Sequence, residues 1–215
     1  MNKILHVLMA MALAAPCASA GSVTFQFGSD PNQFYRDEAV GPYPGSLTDS
    51  NAVSFFCMDL QLASTFGTSY PGTRALPVTP VEKEVAFLAA YSLWSAANTS
   101  HADVVAQLDG PVSFAIWELT GSLGADAPDP AAQPLIAMAQ AAYARGLITT
   151  TFLADTVVFS PTDTSVQRFM GVVYNATAVE AVMSGLQSSA TPEPGSWILL
   201  GLGLFPLCAR RLARK

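Results

Sequence analysis

The sequence predicts an α+β domain: a β-sheet or barrel-like sheet with a helical insert of about three helices, set between an N-terminal signal peptide and a C-terminal transmembrane helix. Three observations predict it. The hydrophobic period switches from two to about 3.6 near Thr79 and returns to strand-like runs after Gly146. Helix-start chemistry occurs twice, as Thr79-Pro80 and Asp129-Pro130. Apolar segments flanked by basic residues stand at both ends, and the middle that remains is about 170 residues, the size of one domain. The expected divisions are 1–20, 21–190 and 191–215.

The elements follow in order. Ser22–Phe27 alternates apolar and polar residues, as a half-buried strand does. Gly28–Gly45 is rich in Gly, Pro, Asn and Asp and reads as loop; Ala52–Leu60 reads as a second strand; Gln61–Pro77, with Pro71-Gly72, reads as loop or hairpin. Thr79-Pro80-Val81-Glu82 supplies an N-cap, a proline at N1 and a glutamate at N3, which together form a capping box. The helix it opens ends at Asn98-Thr99-Ser100. A short helix is expected over 102–108, a break at Gly110-Pro111, and a helix over Val112–Leu119. Ala131–Arg145 is a third clear helix, stopped by Gly146. Leu147–Leu153, Thr156–Ser160 and Gln167–Val173 read as strands, and 176–190 as a short terminal helix.

The first twenty residues have a lysine near the start, an apolar stretch and the small-residue site Ala18-Ser19-Ala20. That order is a secretory signal peptide cut after Ala20, and it makes signal peptidase and the export machinery expected partners. Residues 21–194 hold five Lys and Arg against all sixteen acids, about −11. Such a surface repels phosphate backbones, so nucleic acid is not an expected partner. The middle also keeps a single cysteine, Cys57, and a single histidine, His101. One of each is too few for an intrachain disulfide or a closed zinc site, so no metal and no cofactor are expected.

The C-terminus reads Pro192-Glu193-Pro194, then an uncharged stretch, then Arg210, Arg211, Arg214 and Lys215. Its basic tail should stay on the cytoplasmic side. This order resembles the PEP-CTERM sorting signal. The resemblance implies that exosortase, a membrane transpeptidase-like enzyme, is a partner, that the precursor is held transiently in the inner membrane, and that the helix is removed near the Pro-Glu-Pro. It further implies a Gram-negative source that makes extracellular polysaccharide, which becomes a candidate partner, and a final place at the cell surface or in the matrix.

Two further segments stand about 55 residues apart: Phe56-Cys57-Met58-Asp59-Leu60 on a predicted strand and Ser113-Phe114-Ala115-Ile116-Trp117-Glu118 on a predicted helix. Together they resemble the signature segments of bacterial surface thioester domains. The resemblance implies a Cys sulfur bonded to a Gln side chain, which captures a nucleophile on a target surface. The position that would hold that Gln is Ser113, and a hydroxyl has no acyl carbon to offer. Cys57 and Ser113 therefore read as a degenerate thioester position, with Cys57 a small buried residue and Trp117 core. The expected function is an exported structural or interaction protein without catalysis. A covalent adhesin acting through another Gln is the alternative, and a secreted hydrolase using His101 or the carboxylates of Asp59 and Glu118 is the third reading.

Overall fold

The computed structural model describes residues 21–188, apart from 31, 49, 102 and 125. Both terminal segments, and with them Ala18, Ala20, Pro192, Glu193, Pro194, Arg210 and Arg211, lie outside the described residues. Among the described residues, no helix is long and apolar enough to cross a membrane.

The sheet closes on itself. Strands β1 (Gly21–Phe27), β4 (Tyr43–Leu47), β5 (Ser50–Cys57), β6 (Ser69–Ala75), β7 (Thr156–Pro161) and β8 (Phe169–Val172) form a barrel in the order β1-β4-β5-β8-β7-β6. Every neighbouring pair is antiparallel, and β6 returns to β1 with Gly21 opposite Arg74 and Gln26 opposite Ser69. A two-stranded hairpin, β2 (Phe34–Tyr35) and β3 (Glu38–Ala39), stands apart from the barrel. Closure leaves no free sheet edge in the barrel, which is how an all-antiparallel sheet avoids pairing with other chains.

Strands β2, β3 and the start of β4 lie where the sequence reads as loop, and β6 where it reads as loop or hairpin. Strands β4 and β6 are Tyr-Pro-Gly-Ser-Leu and Ser-Tyr-Pro-Gly-Thr-Arg-Ala, compositions that signal turns. Their glycines have a packing reason. A Cβ on Gly72 would come within 2.6 Å of the Phe159 ring, and one on Gly45 within 2.7 Å of the Phe25 ring. The lumen of a six-stranded barrel is narrow, so large rings need small residues opposite them. Phe25 is the hub, with ring centroids 4.4 Å from Phe55, 5.1 Å from Phe159 and 4.8 Å from Phe169.

Between β6 and β7 the chain leaves for the helical insert. Helix α1 (Pro80–Asn98) starts with the expected capping box: Glu82 N donates to Thr79 Oγ1 at 3.1 Å, and Thr79 N donates back to Glu82 Oε2 at 3.0 Å. A π-helical turn (Val105–Asp109) runs directly into α2 (Gly110–Thr120), so Gly110-Pro111 does not break the chain as expected. The wider turn, with Gly110 N–H bonded to Val105 O, is where the helix accommodates a proline that has no N–H to give. Helix α3 (Gln133–Ala144) follows, two residues shorter at its start than expected. The expected strand over 147–153 is instead a short helix, α4 (Thr150–Leu153), capped by Thr149 Oγ1 accepting from Phe152 N. An apolar run that brief carries no period of its own, so its buried Ile148, Phe152 and Leu153 read equally well as strand. Helix α5 (Ala176–Ser188) follows β8, with Arg145 Nη1 donating to the carbonyl of Leu186 at 3.0 Å.

Two cores share one wall. In β5, Val53, Phe55 and Cys57 point into the barrel, while Phe56 and Met58 point out against α1, α2 and α3. The end of this strand is buried on both faces, and Phe55-Phe56-Cys57 with the following Met58 is accordingly an unbroken apolar run.

Candidate functional site

Cys57 ends β5, and its position follows from the pleat. It pairs with Phe169 on β8 and faces the lumen with Val53 and Phe55. Its carbonyl accepts from Trp117 Nε1 on α2 at 3.1 Å, so Trp117 packs against this strand as expected. The thiol is buried, and burial pushes its pKa well above the ordinary thiol range, with Tyr43 hydrogen bonding acting in the other direction. The neighbouring Tyr43 hydroxyl is likewise held protonated, first by burial and then by Cys57, Asp30 and Glu38. Both groups keep their protons at neutral pH.

A cavity of about 100 Å³ lies beside the thiol at this end of the barrel. Its aromatic walls are Phe27, Tyr43, Phe66 and Trp117; Glu38, Ser64 and Gln167 add polar groups. Hairpin β2–β3 brings Glu38 there, and Tyr43 OH donates to Ala39 O at 2.5 Å, which fastens the hairpin. At its other end the hairpin is fixed by Tyr35 OH donating to Asp129 Oδ2 at 2.9 Å and by Arg36, whose guanidinium lies 5.2 Å from the centroid of the Phe114 ring. Its turn residues Arg36 and Asp37 both have positive φ, of 51° and 68°. Left-handed conformations at both residues are what a two-residue type I′ hairpin turn requires, and without glycine the fastening at both ends offsets their cost.

Ser113 sits on α2 and is buried, but it is absent from the lining of this cavity. Its Oγ accepts from Gly41 N at 3.3 Å, tying α2 to the loop before β4. The carboxamide beside Cys57 is that of Gln167. Gln167 stands two residues before Phe169, the partner of Cys57, in the segment that leads into β8, and lines the same cavity. Its Nε2 donates to Leu62 O, and its Oε1 is buried without a hydrogen-bond partner. The sequence places Gln167 only at the start of a strand; its meeting with Cys57 depends on a pairing across 110 positions, which no local pattern carries.

The carboxylates of Asp59 and Glu118 do not meet as a catalytic pair. Asp59 accepts from Arg168 Nε at 2.9 Å, Nη2 at 2.7 Å and its backbone N at 2.9 Å, while Glu118 accepts from Gln133 Nε2 at 3.0 and 2.9 Å. Asp129 is taken by Tyr35 and Arg36. His101 Nε2 is 3.2 Å from Ser95 Oγ, but the buried carboxylate nearby, Asp109, accepts from Ser92 Oγ at 2.9 Å. Among the described residues, no group of three or more His, Cys, Asp or Glu gathers to hold a metal.

No curated protein sequence matches the chain. Among solved structures, the N-terminal thioester domain of fibronectin-binding protein SfbI from Streptococcus pyogenes is similar. The identity is 10%, the match covers 75% of this chain and 97% of that one, and the TM-score is 0.39. At the other end of the chain, residues 190–215 match the model of the PEP-CTERM protein-sorting motif, and the chain carries that sorting signal.

Proposed function

We propose that this is an exported envelope or extracellular-matrix protein, sorted by exosortase, whose closed barrel serves a structural or interaction role without catalysis. The observation that carries the reading is the sorting motif over residues 190–215. A barrel without free edges and with a half-buried bidentate ion pair at its rim suits a protein that persists outside the cell. Deleting exosortase from the native host should leave a membrane-bound, full-length precursor. Unchanged size and location in that strain would refute sorting.

A second reading, a covalent adhesin, draws on one observation: Cys57 at the end of β5 and Gln167 in the segment leading into β8 line the same cavity. Bonding Cys57 Sγ to Gln167 Cδ breaks the carbon–nitrogen bond, and the thiol proton leaves with the amide nitrogen as ammonia. An amine that attacks the same carbon becomes an amide of Gln167 and returns the thiol. Mass spectrometry of the purified protein decides between the two readings. An unmodified mass and no methylamine adduct hold to the first. A mass lower by one ammonia, replaced by an adduct on Gln167, moves the assignment to the second, and Gln167→Glu should then remove the adduct.

A further inference from the structure

We propose that helix α5 is a detachable arm that carries the sorting motif to exosortase, and that Arg145 is the positioning residue that latches it to the domain. The inference rests on the sorting by exosortase read above and adds the device that gives the enzyme access.

Spacing sets the problem. Helix α5 ends at Ser188, the family match begins at residue 190, and Pro192 stands four residues past the helix. Four residues reach at most about 14 Å. A domain of this length is about 40 Å across. An enzyme set in the membrane takes its peptide in extended form, and a globule held so close to the peptide bars the way. Released from its seat, α5 adds about 20 Å as a helix and about twice that once unwound.

The packing of α5 is light enough to give way. Two of its thirteen residues are buried, Val179 and Val182, against nine of nineteen in α1. Ala178, Met183 and Leu186 are only partly covered. A cavity of about 250 Å³, with Leu147, Phe152, Ala178 and Val182 in its walls, stays open between α5 and the segment that follows α3. Atoms that face a gap have already lost part of their packing attraction, so separating the two surfaces forfeits less. Elements with few buried apolar contacts are the ones that open locally while the rest of a domain stays folded.

The polar fastenings divide into a hinge and a latch. At the start of α5, Asn175 Oδ1 accepts from Ala178 N at 3.3 Å, and Asn175 Nδ2 donates to Asp155 Oδ2 at 2.6 Å. Val173 N donates to Asp155 O at 2.9 Å. These bonds tie the hinge to the residue before β7, so β8 keeps its place in the barrel when the helix swings. At the far end, Arg145 donates from Nη1 to Leu186 O and from Nη2 to Gly185 O. Those carbonyls belong to the last turn, where the helix has no N–H of its own to offer, and a cation there suits the negative end of the dipole. One side chain thus closes the end nearest the motif.

The test follows maturation of the full chain in the native host by pulse-chase. Arg145→Ala should shorten the half-time of the precursor about twofold or more. Leu147→Cys combined with Gly185→Cys should lock the arm: a Cβ on Gly185 would lie 2.7 Å from Leu147 Cδ2, so the two sulfurs can bridge. The bridged precursor should persist, and dithiothreitol should restore its maturation. Hydrogen exchange on the full-length protein in detergent gives a second readout. The α5 amides should exchange about tenfold or more faster than those of α1, and Arg145→Ala should speed α5 by about a further tenfold without moving α1. Maturation of the bridged protein at the wild-type rate, an unchanged half-time in Arg145→Ala, or α5 amides as slow as those of α1 would overturn the proposal. If the wild type matures equally without exosortase, the sorting reading falls and takes this one with it. Exosortase-dependent maturation that ignores the bridge removes this one alone.

Discussion

Asp109 offers the sharpest test of how this fold is balanced. Its side chain ends the π-helical turn, is 2% exposed, and rests on one hydrogen bond from Ser92. Burial pushes its carboxyl up to about 6, against the opposing pull of Ser92 and of His101. The unfolded chain titrates this group near 3.9. The folded state therefore binds the proton more tightly, and the charged form costs the fold free energy above pH 6. As pH falls from about 7 to about 4, stability from this group should rise, with a ceiling of about 3 kcal/mol for a two-unit difference. Local relaxation around the buried charge reduces that to about 1–2 kcal/mol. Asp109→Asn keeps an oxygen for the Ser92 hydroxyl and removes the charge. The variant should be more stable than wild type by that amount at about pH 8 and should match it near pH 4. Urea unfolding followed by tryptophan fluorescence across this range measures the difference, and other titrating groups cancel in it. A variant that is less stable throughout, with the wild-type pH slope, would show that the carboxylate is stabilising and the reasoning wrong.

Gly110→Ala should cost about 2–3 kcal/mol, because its Cβ would sit 2.2 Å from the Tyr35 ring and push the hairpin off α2; unchanged urea midpoints would refute this contact. Thr79→Ala should cost about 1 kcal/mol by removing half of the capping box, with no change in the dependence on pH from 6 to 8.

What could be read from the sequence was local. Thr79-Pro80-Val81-Glu82 states its own cap, and Ser22–Phe27 its own alternation, so α1 and β1 were legible. Strands β4 and β6 were not, because Gly45 and Gly72 are shaped by rings elsewhere in the chain. The site divided in the same way. Cys57 on a strand follows from nearby residues and Trp117 against it from the resemblance of two segments, but Gln167 joins the cavity of the thiol only through the pairing of β5 with β8. Likewise, nothing near Asp59 in the chain announces Arg168.

The order of strands around the barrel dictates an order of assembly. Strands β6, β1, β4 and β5 all come from the first 75 residues and are four contiguous strands of the six in the barrel. The seam is closed by β7 and β8, which arrive after the whole helical insert. Until Phe169 docks opposite Cys57, that thiol faces an open trough instead of a sealed lumen. A chain delivered from its N-terminus thus has a period in which oxidants and small disulfides can reach Cys57, and the period ends when the last strand clicks shut.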